Sequence, residues 1–376
     1  MVGYEGVLVL SSEVYFTSMK TKRGESLLAK LENLIVRAGL LEAISPKDLV
    51  AIKLHFGERG NLAYVRPQYV RRLVEQVKSK GGRPFLTDSN TLYAGSRSNA
   101  VDHLETAIEN GFDYSVVGAP LVIADGLNGK DYVSVPVNLK HFKEVKIGSA
   151  AVQADVLLAI THFKGHEATG FGGALKNVGM GLGSRAGKQQ QHSDLLPQVK
   201  EEICIACGKC AEWCPAGAIV VEDKAKISPD KCIGCGECTV TCPVRAIGIN
   251  WKTKPDIIQE KIAEYTVGAL KGKEGKIGFI TFVTNVSPLC DCCGWNDIPI
   301  VGDIGILASR DPIAIDQAAV DLINQAQGNP LSELGERHAE PDKFRVLFPD
   351  IDWTIQLSYG ETIGLGSRAY QLIQIR

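Results

Sequence analysis

Apolar residues fall along this chain in two alternating rhythms. Short apolar runs at GVLVLSS (6–12), LVAIKLHF (49–56), PFLTDS (84–89) and ADVLLAI (154–160) read as buried strands. Between the first three, Leu27, Leu31, Leu34, Ile35 and Ala38 form one stripe at helical spacing. A second stripe, Val70, Leu73, Val74 and Val77, stops at Gly81 and Gly82. After a cysteine-rich interval the alternation resumes with a helix at 256–272, strands in KIGFITFV (276–283) and IPIVGDIGILAS (298–309), and a helix at 311–328. Strand–helix–strand order predicts an α/β fold, a largely parallel sheet with helices on both faces. The boundaries read as a first part of this body at 1–198, a small α+β insertion at 199–251 and a second part at 252–376, with two separate lobes as the alternative.

Composition changes this picture little. The 376 residues are 45% hydrophobic, ample for packed cores, and 41 basic against 43 acidic residues leave a net charge of −2. No whole-protein field recruits nucleic acid or an anionic membrane, so any charged partner is met locally. No stretch approaches the roughly 18–20 uninterrupted apolar residues of a membrane span, and no basic lead-in precedes the first apolar run. The expected location is the cytoplasm.

Cysteine usage changes it more. Eight of the eleven cysteines form two copies of C-x2-C-x2-C-x3-C-P, Cys204, Cys207, Cys210 and Cys214, then Cys232, Cys235, Cys238 and Cys242, 28 residues apart. Without an export signal, metal is the better reading than disulfides. Two-residue spacings turn three thiolates around one cubane, and the fourth cysteine, followed by Pro215 or Pro243, goes to the other cluster. Two [4Fe–4S] clusters are expected, the first on Cys204, Cys207, Cys210 and Cys242, the second on Cys232, Cys235, Cys238 and Cys214. Tetrahedral zinc leaves the repeated x3-C-P tail without a role. The segment resembles a bacterial-type two-cluster ferredoxin, in which AGAIVV (216–221) and RAIGIN (245–250) would form short strands.

Five further stretches stand out beside the two cysteine motifs: KLHFGERGN (53–61), TDSNTLYAGSR (87–97), HFKGHEATGFGGALKNVGMG (162–181), CDCC (290–293) and GDIGILASRDPIAID (302–316). In this order they resemble the iron–sulfur proteins grouped as domain of unknown function 362, which implies an α/β domain with a ferredoxin-like insert and no settled reaction. GFGGALKNVGMG is also similar, over a dozen residues, to the glycine-rich lysine stretch of lactate-racemase-type enzymes that hold a nickel-pincer nucleotide.

Residues 161–188 follow an apolar strand, the edge at which open α/β sheets bind ligands. Their glycines would let backbone approach a ligand, and Lys164, Lys176, Arg185 and Lys188 would meet a carboxylate or phosphate. His162 or His166, near the ordinary pKa of about 6.5, would exchange a proton. A glycine-rich turn with solvated lysines gives the same pattern. Leu182 and Gln189 rule out a Walker A loop, GLGSRA (181–186) does not open a strand-to-helix turn, and its repetition at 364–369 reads as shared turn chemistry. At other strand ends, His55 with Glu58 would supply acid–base chemistry and Asp88 would orient a histidine or bind a hydroxyl. The alternatives are Asp88 and Ser89 as helix caps and Glu58–Arg59 as an exposed ion pair. Cys290, Cys292 and Cys293 exceed the eight cluster ligands and read as a metal site, a redox thiol pair or buried packing.

Three function classes follow. The first is an iron–sulfur oxidoreductase passing electrons to or from a small anionic substrate in the α/β body, with an unidentified protein as electron donor or acceptor. The second is a ferredoxin-like carrier whose body docks a partner, and the third a nonredox sulfur- or metal-handling protein with structural clusters. The first accounts best for some three hundred residues beyond the cysteine unit.

Overall fold

A computed structural model describes residues 11–192, 196–248 and 253–375. In chain order the first part contains β1 (Ser12–Ser18), α1 (Leu27–Arg37), β2 (Leu49–Lys53), α2 (Pro67–Ser79), β3 (Arg83–Asp88), α3 (Ala100–Glu109), α4 (Tyr114–Val117) and β4 (Leu121–Ile123). A hairpin of β5 (Tyr132–Pro136) and β6 (Glu144–Gly148) follows, then α5 (Ser149–Gln153), β7 (Val156–His162), a second hairpin of β8 (Lys164–His166) and β9 (Gly170–Gly172), α6 (Ala174–Leu182) and α7 (Arg185–His192). The cysteine segment holds β10 (Gln198–Val199), α8 (Lys209–Glu212), β11 (Ile219–Val221), β12 (Ala225–Ile227), α9 (Glu237–Thr241) and β13 (Ile247–Gly248). The last part contains α10 (Pro255–Leu270), β14 (Ile277–Val283), β15 (Gly305–Ser309), α11 (Pro312–Gln325), α12 (Lys343–Leu347), α13 (Thr354–Thr362) and β16 (Tyr370–Gln374).

Eight strands form one sheet in the order β16-β1-β15-β14-β7-β2-β3-β4, to which both flanks of the cysteine segment contribute. Its pairings are parallel except where β15 meets β1 and β14, so among the described residues β15 alone runs reversed. Strand β7 is buried along its whole length, and its side chains alternate between two cores as the period-two geometry of a strand requires. Leu157 and Ala159 pack with Leu175, Tyr265 and Ala318 beneath α6, α10 and α11, whereas Leu158 and Ile160 pack with Leu31, Leu34, Leu73 and Val77 beneath α1 and α2. Burying each Leu, Ile or Val contributes about 1.5–3 kcal/mol. The helix starts follow local rules: Ser26 caps α1 by accepting from Ala29 N at 3.1 Å, and Asp311 caps α11 with Pro312 in its first turn.

Two strand expectations shift. The first described strand is SEVYFTS rather than GVLVLSS, of which residues 6–10 lie outside the described residues. In IPIVGDIGILAS only Gly305–Ser309 pairs in the sheet; Val301 makes an isolated bridge to Gly328. No helix among the described residues is long and apolar enough to cross a membrane.

Candidate functional site

The C-terminal ends of β2, β3, β7 and β14 share one sheet edge, and there Lys53, Asp88, Lys164, His166 and the loop after Val283 surround a cavity of about 380 Å³. Helix α6 closes one side. Its position is set by Asp316 of α11, whose carboxylate accepts from Ala174 N at 2.7 Å and Leu175 N at 3.0 Å. Gly173 makes room for that carboxylate, since a Cβ there would lie 2.3 Å from its Oδ1. Burial pushes the Asp316 carboxyl up to about 7.

Five basic side chains line the cavity, Lys53, Arg97, Lys164, Lys176 and Lys188, against the carboxylates of Asp88 and Glu167. Leu92, Ala168, Met180 and Ile258 supply an apolar wall. Lys53 bonds Asn177 Oδ1 at 2.8 Å and pairs with Asp88 at 3.1 Å, yet burial outweighs Asp88 and lowers its pKa to about 8. Lys188, donating to Gly183 O at 2.6 Å, is lowered to about 8 by burial against the pull of Asp125 and Asp88. Arg97 bonds Tyr93 Oη at 2.7 Å and pairs with Glu58 at 3.2 Å. Burial works against the charge of Lys176, whose ammonium donates to Cys290 Sγ at 3.3 Å and shares the cavity wall with the Glu167 carboxylate.

His55 and His166 both line the cavity with one ring nitrogen already committed. Nδ1 of His55 accepts from Gly57 N at 3.0 Å, and Nδ1 of His166 accepts from Ala168 N at 3.1 Å. Burial, with nearby cations, holds both well below the ordinary histidine pKa, so each is a neutral ring with its proton on Nε2. This replaces the expectation that His166 exchanges a proton near neutrality. The arrangement can hold a small anion carrying an apolar portion: ammonium and guanidinium groups for charge, two imidazole N–H donors for orientation, aliphatic side chains for the rest.

Other sequence expectations land elsewhere. His162 does not line the cavity: Nδ1 meets the Asp291 carboxylate at 2.9 Å and Nε2 the carbonyls of Thr284 and Asn285 at 3.0 and 3.1 Å. Both nitrogens serve the loop after β14 rather than a ligand. Arg185 is buried behind the cavity on carbonyl oxygens of Thr91, Asn128 and Ser98 and on Glu237 at 3.1 Å. Most glycines of 161–188 pack elements instead of touching a ligand: a Cβ at Gly165 would meet Pro288 O at 2.0 Å, and one at Gly179 would meet Ile262 O at 2.3 Å. Glu58 and Arg59 do not pair with each other; Glu58 turns inward to Arg97 and Arg59 outward to Glu109. Asp88 is no helix cap, since Asn99 caps α3, and it lies 3.8 Å from the buried His103. Sequence reading gave no role to Arg97 or His192, although both line the cavity.

Cys290 and Cys292 lie in the cavity wall, with Cys290 Sγ 3.3 Å from Lys176 Nζ. Asp291 between them, fully buried, pairs with His162 and with Lys164 at 3.3 Å, and these partners hold its carboxyl well below the usual range against the cost of burial. That leaves Asp291 committed to its neighbours rather than turned to an ion.

The cysteine segment adds two smaller cavities. One is lined by Cys204, Cys207, Cys210 and Cys242, the other by Cys214, Cys232, Cys235 and Cys238. The 28-residue repeat appears in the backbone: Ala206 and Gly234, Gly208 and Gly236, Gly217 and Arg245 all have positive φ. Cys214 Sγ accepts from Ala218 N at 3.3 Å and Cys242 Sγ from Ala246 N at 3.2 Å, the same bond in each copy. The second copy docks on the body: Glu237 pairs with Arg185, the Thr239 hydroxyl, which donates to Gly236 O at 2.6 Å, lies 3.5 Å from Leu92 O, and a Cβ at Gly236 would lie 2.8 Å from the Leu92 side chain. Leu92 is also a wall of the basic cavity.

DUF362, a domain of unknown function, matches residues 50–321. Over 35 residues the chain is 51% identical to an uncharacterized ferredoxin of Methanocaldococcus jannaschii, a match covering 9% of this chain and 21% of that protein. The lactate racemase apoprotein of Thermoanaerobacterium thermosaccharolyticum is 14% identical with a TM-score of 0.35, over 72% of this chain and 50% of that one. A Thermotoga maritima protein is 11% identical with a TM-score of 0.33, over 68% of this chain and 49% of that one. The chain thus spans about a fifth of the ferredoxin and half of each solved chain.

Proposed function

This chain belongs to the DUF362 family, whose matched span encloses both the basic cavity and the cysteine repeat, and we propose that it is a two-[4Fe–4S] electron-transfer protein, an oxidoreductase acting on a small anion held in that cavity. The donor set fits the group: each thiol-lined cavity gathers three cysteines of one motif and the fourth of the other, and backbone N–H groups point at the two fourth sulfurs. Cys204, Cys207, Cys210 and Cys242 would hold cluster one, and Cys214, Cys232, Cys235 and Cys238 cluster two. When bound, the clusters supply single electrons.

The observation that carries the reading is the position of Leu92, one side chain deep between the cluster-two loop and the cavity. The chain's own residues then bind and orient: Lys164 and Lys176 hold the anion, His55 and His166 donate through Nε2, and the apolar wall excludes water. The exposed thiol-bearing face, where Cys207, Ile205 and Trp213 reach solvent, is the side from which a redox partner protein would exchange electrons with cluster one.

Anaerobically prepared protein is expected to contain about eight iron and eight acid-labile sulfide. Cys214→Ala is expected to disturb the signals of the cluster held by Cys232, Cys235 and Cys238, read by paramagnetic NMR, and to spare its sequence neighbours. A reconstituted preparation holding only zinc would sink the reading. The anion is sought by screening carboxylates and phosphates for changes in the reduced-cluster spectrum; Lys176→Ala should reduce normally with dithionite yet bind the active compound ten- to more than a hundredfold more weakly.

A further inference from the structure

We propose that Cys290 and Cys292 are a dithiol–disulfide couple set in the cavity wall, reached from the cluster-two loop through the adjacent residues Leu92 and Tyr93. The inference rests on the two thiol-lined cavities being cluster sites. Leu92 meets Gly236 and Thr239 of the cluster-two loop, and the Oη of the next residue, Tyr93, lies 3.1 Å from Glu58 Oε2 and 3.2 Å from Cys292 O. Two consecutive residues therefore touch the cluster loop on one side and the thiol loop on the other.

The loop is built to hold its sulfurs in place. Asp291 is anchored through its carboxylate by His162 and Lys164, and its carbonyl accepts from Glu58 N at 3.0 Å. Cys290 and Cys292 both line the cavity on one loop with Asp291 between them, whereas Cys293 does not line it. Buried cysteine that merely fills space needs no cation beside it, and a buried ammonium is costly unless paired. Yet among the described residues the hydrogen bond made by Lys176 Nζ is to Cys290 Sγ, at 3.3 Å. Hydrogen bonding to Cys292 and burial push the Cys290 thiol well above its ordinary pKa, which favours thiols over thiolates in the reduced state.

Reduction breaks the Cys290 Sγ–Cys292 Sγ bond. The two electrons would be supplied one by each cluster, two solvent protons are taken up, and both sulfurs end as thiols. Running backwards, the couple gives two electrons and two protons at once. This is the form in which an organic bond in the cavity is reduced, whereas a single cluster delivers one electron.

The test uses full-length, cluster-loaded protein, oxidised with a dye and titrated anaerobically with dithionite. Wild type is expected to take up about four electrons, about one per cluster and two in the thiol couple, while Cys290→Ser and Cys292→Ser take up about two with unchanged iron. Acid quenching, unfolding and alkylation read the sulfurs directly: wild type gains two alkylated cysteines in 290–293 on reduction, the two variants gain none, and Cys293→Ser behaves as wild type. Two-electron uptake by iron-replete wild type with equal alkylation in both states overturns the proposal, as does loss of the extra electrons in Cys293→Ser. An iron-free preparation sinks the cluster reading instead; two-electron uptake confined to the thiols of that preparation would still support the couple.

Discussion

Lys53 and Lys188 show how burial alone changes what a lysine does. An exposed lysine stays charged to about pH 10.4, whereas these two, both lowered to about 8 by burial, lose their charge as pH rises through that value. Anion binding in the cavity should weaken accordingly. Calorimetric titration with citrate or inorganic phosphate should give an affinity roughly tenfold or more lower at pH 9 than at pH 7; equal affinities would mean that neither lysine faces the ligand. Stability moves the other way. A base whose folded pKa lies below its unfolded one adds stability that is complete above about pH 10.4 and lost as pH falls through about 8, so the protein should resist denaturant better at pH 9.5 than at pH 8 unless other groups offset it. None of this is legible in the letters K53 and K188, because the sequence states a residue's type and not its depth.

At the scale of elements, α6 is instructive because its composition argues against a helix. Gly179 and Gly181 lower its propensity, and the sequence reads naturally as a ligand-binding loop. The helix forms because its buried face packs on β7 and α10, and Gly179 permits the close approach to Ile262 and Thr266 of α10. Propensity predicts that Gly179→Ala would stabilise by about 1 kcal/mol. The packing predicts the reverse, a loss of about 1–3 kcal/mol as α6 and α10 are pushed apart. Guanidinium unfolding decides the sign. The amphipathic helices α1 and α2 pose no such conflict, and there the stripes Leu27–Leu31–Leu34–Ile35 and Val70–Leu73–Val74–Val77 located both helices within the sequence itself.

At the scale of the whole molecule, the cysteine unit is seated by a buried ion pair between Arg185 of the body and Glu237 of the second motif. Removing one partner of such a pair strands the other charge, a cost of about 3–5 kcal/mol. Glu237→Ala should therefore lower global stability by that order while leaving all eight cluster cysteines in place. On the proposed function it should also make electron exchange between the second cysteine motif's cluster and a cavity-bound anion slower, as read by stopped-flow reoxidation. A variant that unfolds and reoxidises as wild type does would show that other contacts seat the unit.

The sequence by itself determined what depends on near neighbours: the strand and helix alternation and the 28-residue cysteine repeat whose left-handed positions recur in step. These follow from periods, spacings and local hydrogen bonds. Tertiary structure alone decided the reversed direction of β15, the order of the sheet and the membership of the site. Lys176 and Cys290 are 114 residues apart, Leu92 and Thr239 are 147 apart, and His162, predicted for the cavity, serves Asp291 across 129 residues. Such contacts exist only when distant strands close on one edge, because depth, charge pairing and reach are properties of the packed chain.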